Sequence, residues 1–185
     1  EPVNTYTEKL LRKIYRDDRF EGFSSDQVIL GILVNPTYWN HVKMIRQTNG
    51  QLQKILGTEE KGKYISFLDV FDQQGNYKIA SLVEQIYQKP VKERSSFDKD
   101  VLKLDEKVNI LYALQQYKML ALFPLAGDAN NKWYSPGDDL SVYTGKDSMF
   151  VSKIFDWYLS EVSQAQLSGQ WQAADEVADM IDTYQ

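Results

Sequence analysis

The sequence predicts an all-α fold: a single compact domain over residues 1–185, with about seven or eight helices around one long central helix. Apolar residues recur at spacings of three and four in several segments, as expected for helices with one buried face. Residues that can cap a helix precede most of these segments. No series of alternating strand segments occurs. A small β-hairpin near residues 64–79 is the one β element that the sequence leaves open.

The central helix is predicted over residues 97–123, the longest segment without Gly or Pro. Ser95 and Asp98 can form its N-terminal cap. Phe97, Val101 and Leu104 begin an apolar stripe, and from Ile110 onward apolar residues occupy nearly every face. At about 1.5 Å per residue this helix would be roughly 40 Å long. We therefore expect it to be the spine of the domain.

The other helices are predicted from the same kinds of signal. Thr5 with Glu8, and Ser24 with Gln27, have the spacing of capping boxes. Gly57 has the position of a C-terminal residue in the left-handed conformation. These predicted helices cover residues 5–16, 26–34, 49–56, 67–71, 80–88, 147–166 and 171–184, and a short segment over residues 37–42 follows Asn35-Pro36.

Composition excludes several classes of function. The net charge is −5 and the basic residues are scattered, which argues against a nucleic-acid partner. There is no cysteine, so thiol catalysis and cysteine-ligated metal sites are excluded. No run of 18 or so apolar residues occurs, so no transmembrane helix is predicted. Carboxylate pairs such as Asp138 and Asp139 lie beside turns, where a solvated surface explains them best.

The only histidine is His41, with Met44 three residues further on. On a helix the two side chains would lie one turn apart and could approach a haem iron together. The ordinary interpretation is an exposed histidine beside an unrelated core methionine, and it is favoured here. His41 is therefore a weak candidate for cofactor binding, and neither catalytic residues nor a metal site are predicted.

The segment 124–136 after the central helix is the strongest candidate for recognition. It combines polar groups with two large amphipathic aromatic rings. Its candidate partner-binding residues are Asp128, Asn131, Lys132, Trp133 and Tyr134. The alternative is a purely structural connection that is held in place by its own aromatic side chains.

Several motifs together resemble a known family. The run Phe97-Asp-Lys-Asp-Val-Leu-Lys-Leu-Asp-Glu-Lys-Val-Asn-Ile is followed by Phe123-Pro and by Gly127-Asp-x-x-Asn-Lys-Trp-Tyr-Ser-Pro. Thr5-x-x-Glu-x-Leu-Leu-Arg-Lys-Ile, Asp26-Gln-Val-x-Leu-Gly with Pro36-x-x-Trp, and Gly169-x-Trp-x-Ala-Ala-Asp fall in the same order. This set resembles the extracytoplasmic part of fused ResB/CcsA-type (system II) cytochrome c biogenesis proteins.

The resemblance implies a non-catalytic domain on the periplasmic side of the inner membrane. It would be a scaffold or a contact surface, with the membrane-embedded remainder of the same protein and apocytochrome c as partners. Haem is expected for the full-length protein, and no cofactor for this chain. The start at Glu1-Pro2, without methionine, suggests a fragment of a larger membrane protein. A ligand-binding or sensory helical domain of another membrane protein is the alternative.

Overall fold

The computed structural model describes residues 3–185; Glu1 and Pro2, from which the fragment was inferred, lie outside the described residues. The chain divides into two compact units, the first ending at Tyr112 and the second covering Ala113–Gln185. The single domain over residues 1–185 stays a prediction.

The first unit contains five complete helices, the larger part of a sixth, and four two-residue strands. In chain order these elements are α1 Val3–Tyr15, β1 Arg19–Phe20, β2 Phe23–Ser24, α2 Ser25–Val34, α3 Pro36–Trp39, β3 Ile45–Arg46, α4 Gly50–Leu56, β4 Tyr64–Ile65, α5 Ala80–Gln88 and α6 Ser96–Gln115. Short 3-10 helices cover Glu59–Lys61, Phe67–Val70 and Val91–Glu93.

The core of the first unit forms around α1 and α2. Leu11 and Ile14 of α1 are buried, and Val28 and Ile32 lie on the buried face of α2. The polar side chain of Thr7 also lies inside, where its hydroxyl contacts the hydroxyl of Ser25 at 3.1 Å. Burial of large aliphatic side chains supplies most of the stability of such a core, about 1.5–3 kcal/mol for each one.

Local capping signals predicted several helix ends correctly. Ser24 and Gln27 form the predicted capping box at the start of α2. Asn49 caps α4, and Gly57 ends that helix in the left-handed conformation with a φ of 69°. The box predicted at Thr5 is wrong, because α1 begins at Val3 and Thr5 lies inside its first turn.

The short strands form antiparallel pairs. β1 pairs with β2 across a tight turn at Glu21 and Gly22, both of which have positive φ. β3 pairs with β4, so the strand at Tyr64–Ile65 has a partner far away in sequence. The hairpin considered near residues 64–79 is reduced to a single bridge between Phe71 and Tyr77.

The second unit begins with the last turn of α6. It continues with β5 Phe123–Pro124, β6 Trp133–Tyr134, α7 Gly145–Val151, α8 Ile154–Ser168 and α9 Gln172–Tyr184. Helices α8 and α9 form an antiparallel pair joined at Gly169, which has a φ of 75°. Their facing side chains form its core, with Phe155, Leu159 and Val162 from α8 and Ala174, Val177 and Ile181 from α9.

The predicted central helix over residues 97–123 is wrong in its C-terminal part. Helix α6 ends at Gln115, because Tyr117 adopts the left-handed conformation with a φ of 57°. The amide of Lys118 donates to the carbonyl of Ala113, and the amide of Tyr117 donates to that of Leu114. This is the hydrogen-bond pattern of a Schellman motif, which usually requires glycine at the position of Tyr117.

The helix predicted over residues 147–166 is also divided. It consists of α7 and α8, and the chain breaks at Ser152 and Lys153 between them. The structure is mostly helical, as predicted, but it is not purely α, because three two-stranded antiparallel sheets lie within residues 3–185. None of the helices in the described part of the chain is both long enough and apolar enough to span a membrane.

Candidate functional site

The candidate segment 124–136 forms most of a β-hairpin. In this hairpin Phe123 pairs with Tyr134, and Pro124 pairs with Trp133. The amide of Leu122 donates to the carbonyl of Tyr134 at 3.0 Å, and the amide of Leu125 donates to that of Lys132 at 2.9 Å. This segment, predicted as a connection after the central helix, is therefore fixed in place by backbone hydrogen bonds.

The turn of the hairpin is organised by Asp128. Its Oδ2 accepts hydrogen bonds from the amide of Asn130 at 2.9 Å and from the amide of Lys132 at 3.0 Å. Asn131 takes the left-handed conformation, with a φ of 49°, which asparagine tolerates better than most residues. The carboxylate of Asp128 is thus engaged in holding the turn.

Side chains alternate across the second strand, as strand geometry requires. Trp133 points outward and is 43% exposed, whereas Tyr134 is 8% exposed and packs edge-on against Tyr143. The Lys132 ammonium lies 4.3 Å from the centre of the Tyr134 ring. A side-chain hydrogen bond with Tyr134 raises the pKa of Lys132 above its ordinary value, which favours the charged form.

The base of the hairpin is anchored to other parts of the second unit. Phe123 is fully buried, and its carbonyl accepts a hydrogen bond of 2.7 Å from the hydroxyl of Tyr143. Burial raises the pKa of Tyr143 to about 12. Beyond the strand, the amide of Gly137 donates to the carbonyl of Tyr117 at 2.9 Å, which ties the hairpin to the end of α6.

The structure thus brings all five predicted contact residues into one hairpin, but it gives them different positions. Asp128 and Tyr134 are engaged in the fold itself. Asn131, Lys132 and Trp133 are exposed, and Trp133 offers the largest apolar surface of the three. A partner-binding role for these residues stays a prediction.

The pairing considered for His41 and Met44 has no helix to support it. Helix α3 ends at Trp39, and His41 follows in an exposed turn where its amide donates to the carbonyl of Tyr38. Met44 is 1% exposed and belongs to the core. The two side chains therefore do not fit a common haem iron. Across residues 3–185, no group of three or more His, Cys, Asp or Glu side chains could hold a metal ion.

Sequence reasoning missed a cluster of basic residues in the first unit. A groove of about 330 Å³ is lined by Arg12, Lys13, Arg16, Lys103 and Lys107 together with Glu106. The signal was present in the sequence, since Lys99, Lys103 and Lys107 recur at spacings of four and must share one face of α6. The scattered basic residues of the sequence are therefore partly gathered by the fold.

Comparison with known proteins shows a similarity to protein NrfI. No family model matches the chain. Over 148 residues, or 80% of its length, the chain is 34% identical to protein NrfI of Wolinella succinogenes. That match spans only 16% of the length of NrfI.

The match corrects the family inferred from the motifs. The assignment to fused ResB/CcsA-type proteins is wrong, because the relative found is NrfI and the match shows no ResB fusion. A match of 148 residues in a chain of 185 must nevertheless include the middle of the chain, and with it α6 and the hairpin. The candidate site therefore lies within the segment that is similar to NrfI.

Proposed function

We propose that this chain is a non-catalytic helical part of a protein that acts in cytochrome c biogenesis. The single observation that carries the proposal is the similarity to NrfI over 80% of the chain. The candidate hairpin and α6 lie within the matched segment. The whole protein's activity and partners belong to the proposal, since the match covers about one sixth of NrfI.

Within this function, the hairpin β5–β6 is the proposed contact surface. An exposed tryptophan on a hairpin with fixed backbone hydrogen bonds loses little conformational entropy on binding. Tryptophan is also among the residues that most often dominate binding energy at protein interfaces. The proposed partners are apocytochrome c and the remainder of the same protein, which is proposed to be embedded in the membrane.

The proposed location is the periplasmic side of the inner membrane. A contact surface for apocytochrome c would have to face the compartment where haem is attached. In this proposal haem belongs to the full-length protein. No haem ligand is assigned within this chain, because His41 and Met44 do not converge.

The alternative of a ligand-binding or sensory domain predicts an enclosed, mostly apolar pocket. The cleft beside α8 and α9 does not have this character. It measures about 740 Å³, and its lining includes Glu161, Gln164, Ser168, Gln172 and Glu176 around Trp171. This observation gives the alternative no specific support.

The test uses the full-length gene in its native host and measures covalently bound haem in c-type cytochromes. Deleting the gene should abolish or strongly lower the holocytochrome signal. Trp133→Ala should lower it by roughly tenfold, as expected when a dominant contact residue worth about 1–2 kcal/mol is truncated. Trp171→Ala is the matched control, because Trp171 is exposed to nearly the same degree, 44% against 43%.

Three outcomes separate the parts of the proposal. Unchanged cytochromes after gene deletion would refute the role in biogenesis. A normal yield with Trp133→Ala, or an equal loss with Trp171→Ala, would refute the hairpin as the contact surface. The melting temperature of each variant chain must also be measured, because a large drop for Trp133→Ala would mean that Trp133 acts structurally.

A further inference from the structure

A basic face lies on the first unit, at two adjacent grooves, although the chain as a whole carries a net charge of −5. Lys99, Lys103 and Lys107 form a row along α6, about 12 Å from end to end at 1.5 Å per residue. The row is extended sideways by Arg12 and Lys13 of α1 and by Arg16, which follows that helix; all three line the same groove as Lys103 and Lys107.

A second depression continues this face toward the start of α6. It measures about 310 Å³ and shares Lys103 and Glu106 with the first groove. Its lining adds Lys99 and Arg94, together with the apolar side chains of Val91 and Leu102. Val91 is 71% exposed. The basic face therefore also presents apolar surface to the solvent.

Arg94 is held in an unusual way at this edge. Its guanidinium lies 5.6 Å from the centre of the Tyr87 ring, and Tyr87 is 60% exposed. The Nε of Arg94 is buried, and no hydrogen-bond acceptor reaches it among the described residues. An unsatisfied buried donor costs free energy, so this guanidinium is incompletely satisfied by the protein alone.

The nearby carboxylates do not neutralise the basic face. Glu106 pairs with Lys13, Asp18 pairs with Arg12, and Asp100 lies 3.2 Å from the ammonium of Lys103. In the part of the chain that the structure describes, the side chains of Arg16 and Lys99 have no carboxylate within ion-pair distance. The face keeps an excess of positive charge.

This arrangement opposes folding. Like charges four residues apart on a helix repel each other. Burial, followed by repulsion from Arg16 and Arg46, lowers the pKa of Lys107 to about 8, and its ammonium is held by the carbonyl of Arg46 at 2.5 Å. The ion pairs and the hydrogen bond of Lys107 leave an excess of positive charge on this face, and an external anion would relieve the remaining repulsion.

We propose that the basic face, formed by α1, the start of α6 and the segment at Val91, binds the anionic headgroups of a phospholipid bilayer. Several exposed cations on a shallow surface fit many headgroups better than one small anion. Exposed Val91 and Tyr87 beside them suit the lipid interface, where apolar and aromatic side chains accompany Lys and Arg. These apolar groups favour a membrane over an acidic protein.

This inference rests on the proposed function, which places the chain at the inner membrane, and it names the surface that faces the lipid. Each Lys or Arg near an anionic bilayer strengthens binding by about fivefold. Lys99→Gln with Lys103→Gln should therefore weaken binding by roughly 25-fold. Glutamine is a good helix former, so the double substitution preserves α6.

The experiment measures co-sedimentation of the 185-residue chain with vesicles. Vesicles of phosphatidylcholine mixed with phosphatidylglycerol should retain the chain at low salt, and vesicles of phosphatidylcholine alone should not. High salt should release it, because exposed charges are screened within about 10 Å at 0.1 M. The control variant Lys146→Gln with Lys153→Gln removes the same charge from exposed positions of the second unit and should bind normally.

Equal binding to both kinds of vesicle, or equal loss with the control variant, would overturn the proposal. Binding to poly-glutamate but not to anionic vesicles would also overturn it and would point to an acidic protein instead. Circular dichroism of each variant verifies the fold. The vesicle assay contains no cytochrome, so the absence of vesicle binding would not contradict the role in cytochrome c biogenesis. Normal cytochromes after gene deletion would refute that role but would not contradict binding to anionic vesicles.

Discussion

Replacing Gly137 by alanine tests the way in which the hairpin segment returns to the end of α6. A Cβ at this position would lie 1.8 Å from the carbonyl oxygen of Gln116 and 2.9 Å from its carbonyl carbon. Both atoms belong to the backbone, so no change of rotamer can relieve the overlap. The Gly137 amide also donates to Tyr117 at 2.9 Å, so the two segments cannot separate without losing this bond.

The expected cost follows from these contacts. The two backbones must separate by roughly 1 Å, and an overpacked site of this kind typically costs about 1–3 kcal/mol. Losing the hydrogen bond between Gly137 and Tyr117 adds about 1 kcal/mol. Gly137→Ala should therefore lower the free energy of unfolding of the second unit by about 2–4 kcal/mol. Its melting temperature should fall by roughly 10 °C or more.

Thermal and urea unfolding followed by circular dichroism measure this loss. Gly50→Ala is the control, because a Cβ at Gly50 meets no heavy atom within 4 Å. That substitution lies at the start of α4 and should be neutral or stabilising by up to about 1 kcal/mol. If Gly137→Ala stays within about 0.5 kcal/mol of the unmodified chain, the close approach to Gln116 is wrong. The described end of α6 would then be wrong with it.

Two further predictions concern pH. Tyr143→Phe removes the hydrogen bond to Phe123 and should cost about 1–2 kcal/mol at neutral pH. Burial raises the pKa of Tyr143 from 10 to about 12. Its contribution to the free energy of unfolding is therefore complete below pH 10 and is lost as the pH rises toward 12. The free energies of unfolding of the unmodified chain and of Tyr143→Phe, measured in urea, should converge there. Asp98 accepts hydrogen bonds from the amide of Ser95 and from the ammonium of Lys89, and these lower its pKa below 3.8. The contribution of Asp98 to the free energy of unfolding should be present above pH 3.8 and lost as the pH falls through its lowered pKa. If the free energy of unfolding of Asp98→Asn falls with acid in the same way as that of the unmodified chain, this prediction is contradicted.

Local signals predicted the helices whose ends are set by nearby residues. Asn49 caps the helix that Gly57 ends, and all the bonds involved lie within a few residues. The cap at Ser95 and Asp98 is likewise present, with the amide of Asp98 donating to the Ser95 hydroxyl at 3.0 Å. Such ends depend on side chains that satisfy adjacent amides, so sequence spacing alone contains the information.

The end of α6 could not be predicted in the same way. Tyr117 has a positive φ without being glycine, and no local rule favours a tyrosine there. Its ring packs edge-on against Phe155, and its carbonyl accepts the amide of Gly137. Both partners are distant in sequence, and together they select a conformation that the segment would not adopt alone. The apolar segment after Gln115 therefore leaves the helix and leads into strand β5 at Phe123.

The composition of the sequence identified the candidate site, but it did not predict the role of each residue in it. Asp128 and Tyr134 have the chemistry of binding residues, yet the turn uses the first and the core uses the second. Only the pairing of β5 with β6 decides which aromatic ring faces outward. A shift of the register by one residue would exchange Trp133 and Tyr134.

The alternation of exposed and buried side chains along β6 allows the function of the hairpin to be tested separately from its fold. Trp133 and Tyr134 are neighbours in sequence and similar in chemistry, but one is 43% exposed and the other 8% exposed. Truncating Tyr134 removes packing against Tyr143 and must disturb the fold, whereas truncating Trp133 removes surface that the described fold leaves open to solvent. A large exposed indole on a rigid strand gains little for the second unit by itself. Under the proposed function, this indole is the surface that a partner would cover.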